Sequence, residues 1–173
     1  VCSTAFGLTL HAWTATSGAA NTSALAWGDV DADGDLDLAV GNNGADTAIF
    51  LNTCNPLNGS CSGAVGLPNT PNQSITSSSA TTSMAWGDLD GDGDFDLVVG
   101  NLESRSQLYR NTNGTLTLES TWLPSASLKT RGIAWGDLDN DGSLDLVLVN
   151  EDQPLLIYRN TLSSGFNLAP GWN

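Results

Sequence analysis

Three thirty-residue segments of this chain align with one another without a gap. A repeat of that length dictates a stacked architecture before any other feature is weighed. Residues 24–53 read ALAWGDVDADGDLDLAVGNNGADTAIFLNT, residues 83–112 read SMAWGDLDGDGDFDLVVGNLESRSQLYRNT, and residues 132–161 read GIAWGDLDNDGSLDLVLVNEDQPLLIYRNT. Their starts lie 59 and 49 residues apart, which suits a blade or solenoid unit and is too long for a coiled-coil or collagen register.

Within each unit the hydrophobic period is two. Leu36, Leu38 and Val40 alternate with Asp37 and Ala39, and the pattern recurs at Phe95, Leu97 and Val99 and at Leu144, Leu146 and Leu148. Such alternation predicts half-buried strands. One strand runs up to Ala26-Trp27, Ala85-Trp86 and Ala134-Trp135. Another follows at 48–51, 107–110 and 156–159 and ends in an Asn-Thr turn. The segment 6–13 echoes 115–122, and 166–172 is a third copy, so a full unit has four strands. The Ser/Thr/Pro/Asn-rich spacer 62–82 reads as a loop. No long stretch has a helical period. The expected fold is all-β: a single repeat domain over 1–173, made of three consecutive four-stranded propeller-type blades with terminal strands at about 5–13 and 166–172. With 173 residues and 40% hydrophobic content, one domain with a real core is within reach.

The charge is concentrated. Net charge is −14, from 5 basic and 19 acidic residues, and 14 of the carboxylates fall within 29–37, 88–96 and 137–145. Asp46, Glu103, Glu119, Glu151 and Asp152 are the remainder and read as ordinary surface residues. A chain so poor in clustered Lys and Arg is not built to hold nucleic acid phosphates or an anionic membrane. No apolar run is long enough to span a membrane.

Each acidic stretch places carboxylates at alternate positions around a glycine. In the first, Asp29, Asp31, Asp33 and Asp37 occupy positions one, three, five and nine, with Gly34 at six and the carbonyl of Asp35 at seven. The second has Asp88, Asp90, Asp92 and Asp96 with the carbonyl of Asp94, and the third has Asp137, Asp139, Asp141 and Asp145 with the carbonyl of Ser143. In a tight loop alternate side chains turn toward one centre, and glycine permits the sharp bend. Four carboxylates and a carbonyl suit Ca²⁺, which takes six to eight oxygens. Mg²⁺ demands stricter geometry, and Zn²⁺ would want His or thiolate. Three calcium sites are expected. They are not EF-hands, because Val40, Val99 and Leu148 stand where the bidentate Glu belongs and the loops run into strands.

The string A-W-G-D-[LV]-D-x-D-G-[DS]-[LF]-D-L, with a strand ending [FY]-x-N-T, resembles the FG-GAP/VCBS repeats, the calcium-loop blades also found in the integrin α-subunit β-propeller. The resemblance implies a propeller blade with a calcium loop between two of its strands and an extracellular adhesive, structural or ligand-binding role. It also implies an open or incomplete β-propeller here, because closure needs roughly four blades or more and three units fall short. Open blade edges invite pairing with another chain, and the strand at 166–172 is a candidate for donation. A homo-oligomer or larger head-to-tail assembly is one expectation; a fragment of a larger propeller, or three blades whose terminal strands pair within the chain, is the other.

Nothing points to catalysis. His11 is the sole histidine, and no nucleophile motif, P-loop or dinucleotide fingerprint occurs. Trp27, Trp86 and Trp135 recur with the repeat and read as core, as do Trp13, Trp122 and Trp172, although an exposed one would offer a sugar-stacking platform. Cys54 and Cys61 bracket CNPLNGSC and read as a local disulfide, with Cys2 left over. One Lys, abundant Ser, Thr, Asn and Gly, and this local disulfide favour an extracellular or cell-surface setting; sequons at Asn21, Asn58, Asn72 and Asn113 permit glycosylation without arguing for it, and the start at Val1 reads as a mature or trimmed form of a longer precursor. Two functions are expected from different classes. One is a calcium-binding structural or adhesive repeat protein that self-assembles. The other is a carbohydrate- or protein-binding propeller module of a larger secreted protein.

Overall fold

A computed structural model of the chain describes residues 13–16, 21–53, 66–76, 80–120, 122 and 127–161, together with the backbone of 168–170. Among the described residues there are twelve strands and no helix. The first four are β1 (Asn21–Gly28), β2 (Asp37–Asn43), β3 (Thr47–Phe50) and β4 (Gln73–Ile75). The next four are β5 (Ala80–Gly87), β6 (Asp96–Leu102), β7 (Gln107–Thr112) and β8 (Thr115–Leu118). The last four are β9 (Thr130–Gly136), β10 (Asp145–Asn150), β11 (Leu156–Asn160) and β12 (Leu168–Pro170).

Consecutive strands pair antiparallel, which yields three four-stranded meanders, β1–β4, β5–β8 and β9–β12. The first two are joined at Asn43↔Ala80, and the third is a separate sheet. The first hairpin of each meander closes at Gly28↔Asp37, Gly87↔Asp96 and Gly136↔Asp145. Each acidic stretch is therefore the connection at the end of a hairpin. A register shift recurs in each of these hairpins, so the bulge belongs to the repeat.

The alternation does not separate core from solvent in the first two meanders. Leu97 and Val99 of β6 pack in one cluster with Val30, Ala39 and Ile49, while Val98, on the opposite face, packs with Leu146, Leu148 and Tyr158. The meanders stack face to face, so alternate positions of one strand serve two different cores, and β6 is buried from Asp96 to Asn101. In β2, Ala39 faces the same first cluster, while Leu38 packs with Phe50, Leu67 and Trp13 on the outer side. Of the three equivalent strands β2, β6 and β10, only β10 keeps the expected half-buried character, with Val147 partly covered and Val149 exposed.

Other expectations change in detail. β4 lies within the spacer read as a loop, and it completes the first meander. β12 pairs with β11 inside the chain, so Leu168–Pro170 follow the alternative of a terminal strand paired within the chain rather than one awaiting a neighbour. Trp13 is in no strand, and its indole meets Phe50 edge-on at 5.1 Å. Trp122 is buried against Tyr158, as expected of a core residue. Trp27 is 56% exposed and is not core. The strand expected before Trp13, His11, Trp172, Asn58, Cys2 and the expected Cys54–Cys61 disulfide lie outside the described residues.

Meander meets meander through one repeated contact. A Cβ added at Gly28 would lie 2.8 Å from the indole of Trp86, and one at Gly87 would lie 2.9 Å from the indole of Trp135. Each tryptophan thus lies flat on the glycine of the preceding unit, and no larger residue fits beneath it. Further along, Thr81 and Thr130 press their methyls onto Gly41 and Gly100 in the same way. Asn111 Nδ2 donates to the carbonyl of Val30 at 2.7 Å, and Asn160 Nδ2 to that of Leu89 at 2.7 Å, so each unit also clasps the acidic loop of the one before.

Candidate metal centre

The four aspartate positions of each loop have separate tasks. Position nine is a staple. Asp37 accepts the amides of Val30 (2.7 Å) and Asn52 (2.6 Å), Asp96 those of Leu89 (3.0 Å) and Asn111 (2.8 Å), and Asp145 those of Leu138 (2.9 Å) and Asn160 (2.8 Å). All three are buried. They tie the start of the loop to the far end of the neighbouring strand. Burial, against the pull of these amides, lifts Asp37 and Asp96 to about 6.

Position one shapes the loop. Asp29 accepts the amides of Asp33 (3.1 Å) and Gly34 (3.0 Å), Asp88 those of Gly91 (2.9 Å) and Gly93 (3.2 Å), and Asp137 those of Asp141 and Gly142 (both 3.0 Å). Position five accepts from the amide two residues on, at 2.9 Å in Asp33, Asp92 and Asp141. The amides that donate here belong to Asp35, Asp94 and Ser143, whose carbonyls are the expected seventh-position ligands. Gly34, Gly93 and Gly142 sit at φ of 93°, 94° and 90°, which only glycine adopts freely. Ala32 occupies the same left-handed region at φ 59°, where the other loops have Gly91 and Asn140.

Position three is different. Asp31 and Asp90 each bury an oxygen, Oδ1, that has no hydrogen-bond partner. Burial first, then the neighbouring Asp33 carboxylate, raises the pKa of Asp31. Burial also raises that of Asp90, opposed by Arg110. A carboxylate oxygen taken out of water without a donor is costly, and a cation is the partner that removes the cost. The carboxylates also converge. Ligand oxygens of Asp29, Asp31 and Asp33 lie within 4.8 Å of one another, as do those of Asp88, Asp90 and Asp92, and those of Asp137, Asp139 and Asp145. These donors are all oxygen and carry several negative charges, so the clusters could hold a hard metal cation.

Sequence reasoning finds these carboxylates but not their partners. It does not reveal that position nine is bound by backbone amides, that the Asn of the Asn-Thr turn reaches the preceding loop, or that two arginines lie on the loops. The recurrence of Asn52, Asn111 and Asn160 is the available signal for the second of these.

A family profile described as an FG-GAP-like repeat matches residues 29–99 and again 88–148, together more than half of the chain. The chain belongs to the FG-GAP-like repeat family. Both matches begin on the first aspartate of an acidic loop and run through the strand behind the next one, so the loop is part of what defines the family match. No curated protein sequence matches the chain. In fold this FG-GAP repeat chain is similar to a solved structure, BBS1N in complex with ARL6DN, soaked with lead. The TM-score is 0.50 at 16% identity, over 83% of this chain and 42% of that one. The likeness is one of β-propeller-like fold, and this chain spans less than half the length of that one. The FG-GAP repeat has no helix long and apolar enough to cross a membrane among the described residues.

Proposed function

We propose that this chain is an extracellular, non-catalytic, calcium-binding structural or adhesive protein. In this reading its three meanders act as consecutive propeller-type blades that associate through open ends. One observation carries the metal reading, the partnerless buried Oδ1 of Asp31 and Asp90 inside clusters of converging carboxylates. Ca²⁺ fits the all-oxygen donor set better than Mg²⁺ or Zn²⁺. Asp29, Asp31, Asp33 and Asp37 with the Asp35 carbonyl, and their counterparts in the other loops, are the ligands proposed. Thermal melting tests this. Moving from millimolar calcium to a chelator is expected to lower Tm by about 10 °C, and an unchanged melt sinks the metal reading.

The two ends support association. Trp27 is exposed at the first unit, where Trp86 and Trp135 are seated. A Cβ at Gly136 would meet nothing within 4 Å, whereas Gly28 and Gly87 are covered. One end thus offers the tryptophan and the other the glycine of a contact the chain makes twice internally. Val149 stands where Gly41 and Gly100 receive threonine methyls, so a unit docked there would differ at its inner end. Light scattering in millimolar calcium should give masses above 17.9 kDa. A single species at that mass removes association from the proposal and leaves the calcium part standing.

A second reading has an observation of its own. Trp13, Trp27, Leu36, Leu38, Asn52 and Leu67 line an apolar cleft of about 520 Å³ on the outer face of the first unit. A propeller module of a larger secreted protein could take a carbohydrate or protein ligand there. Glycan binding by a chain that stays monomeric, lost in W27A, would favour this reading over self-association.

A further inference from the structure

The three acidic loops differ most in one neighbouring residue. The amides of Asn52, Asn111 and Asn160 each bind the position-nine aspartate of their own unit. That bond fixes the residues just before them, Leu51, Arg110 and Arg159, as structural equivalents. Arg110 Nη2 lies 2.8 Å from Asp90 Oδ2. Arg159 Nη2 pairs with Asp139 Oδ2 and lies 3.8 Å from Asp141 Oδ2. Leu51 packs instead against the hydrophobic cluster between the first two units. No salt bridge among the described residues reaches an aspartate of the first loop.

Arg110 leaves the inner side of its loop open. Arg110 takes Asp90 Oδ2, and Oδ1 remains buried and without a partner, as in Asp31 where no arginine is present. A cation could thus sit within the cluster while the guanidinium holds the outer oxygen. The charge beside that cation differs from loop to loop. The first loop has five aspartates and no arginine, a formal −5; the second has five and Arg110, −4; the third has four and Arg159, −3.

We infer that Arg110 and Arg159 are built-in counter-cations that, together with Ser143 in place of the aspartates at 35 and 94, grade the three metal sites, making the first loop the tightest for Ca²⁺ and the third the weakest. The inference rests on the calcium reading above. Each guanidinium supplies part of the positive charge its loop needs, so the metal gains less by binding there and is also repelled by the fixed charge. The first loop has only the metal to neutralise it. Filling is therefore sequential as calcium rises, beginning at the first unit.

Calorimetric titration of the whole chain with CaCl₂, coupled to melting with and without calcium, tests the grading. The tightest phase is expected to vanish in D31N and to survive in D139N. R110L and R159L, which install the residue naturally present at 51, should each tighten one phase by about tenfold, and L51R should weaken the tightest phase by a similar factor. In chelator the two arginine variants should melt earlier than wild type, while at saturating calcium the difference should disappear. A merely structural arginine would lower both melts and tighten nothing. Three equal phases, or a tightest phase that persists in D31N, overturn the grading while leaving calcium binding in place. No calcium binding by the wild-type chain overturns both.

Discussion

The junction between the first and second units and the outer face of the third unit present equivalent residues in opposite circumstances. At the junction Gly28 lies under the Trp86 indole, and Val30 is 1% exposed because Asn111 and the following unit cover it. On the outer face Gly136 is bare, and Leu138, the counterpart of Val30, is 54% exposed. The residue types match, so the difference comes wholly from whether another unit follows. It teaches that an FG-GAP unit is not a finished object: its loop and its glycine are completed by the next unit in line.

Truncating the tryptophans tests this most severely. Trp86→Ala should cost about 3 kcal/mol by urea unfolding, since it empties the seat on Gly28 and loosens the first core. Trp27→Ala, with no seat to leave, should cost less than about 0.5 kcal/mol in the monomer. Equal costs would break the comparison. Filling the glycines is the converse. Gly28→Ala or Gly87→Ala should cost about 1–3 kcal/mol because the methyl would overlap an indole, whereas Gly136→Ala should be neutral. A neutral Gly28→Ala would mean that the junction gives way easily.

The buried position-nine aspartates of the first two loops should also make stability depend on pH. Asp37 and Asp96 have folded pKa values of about 6, above the ordinary 3.8, so their ionisation opposes folding. In chelator, stability should be greatest below about pH 4, fall as pH rises through about 6, and level off above that. On the proposed calcium reading the metal takes the ionised form and should cancel the fall, which melting curves at pH 5 and pH 7 with and without calcium would reveal. The exposed position-five Asp141 moves the other way, lowered by the Ser143 amide and hydroxyl and by Arg159. The smallest effect is expected at Ala32. Ala32→Gly should add about 0.5–1 kcal/mol by relieving a left-handed alanine, with no gain at the equivalent Gly91.

Much of this molecule was legible in advance, for physical reasons that can be named. The acidic loops declare themselves because a polar turn has no need of three or four aspartates at alternate positions around a glycine. The strands of each core follow from period-two patterning. β4 was not legible, because Gln73-Ser-Ile is too short to show a period and gains its place only by pairing with β3. Whether the last strand pairs within the chain or is donated to a neighbour was left open, because sequence carries no record of which edge a strand will find, and β12 pairs with β11. Trp27 was misread as core for a related reason: its local sequence is that of Trp86 and Trp135, and only its place at the end of the array exposes it.

By itself the sequence determined the repeat, the all-β class and the carboxylate sets, because these depend on spacing along the chain and on side-chain chemistry. The tertiary structure alone decided that alternate faces of β6 serve two cores and that position nine is held by amides from two directions. It also decided that arginines lie on the second and third loops and that one tryptophan and one glycine are left uncovered at opposite ends. These depend on groups brought together across the chain, from 15 residues for the Asn52 amide on Asp37 to 81 for the clasp of Asn111 on Val30. A contact of that kind is set by how whole units stack, and local pattern does not encode it.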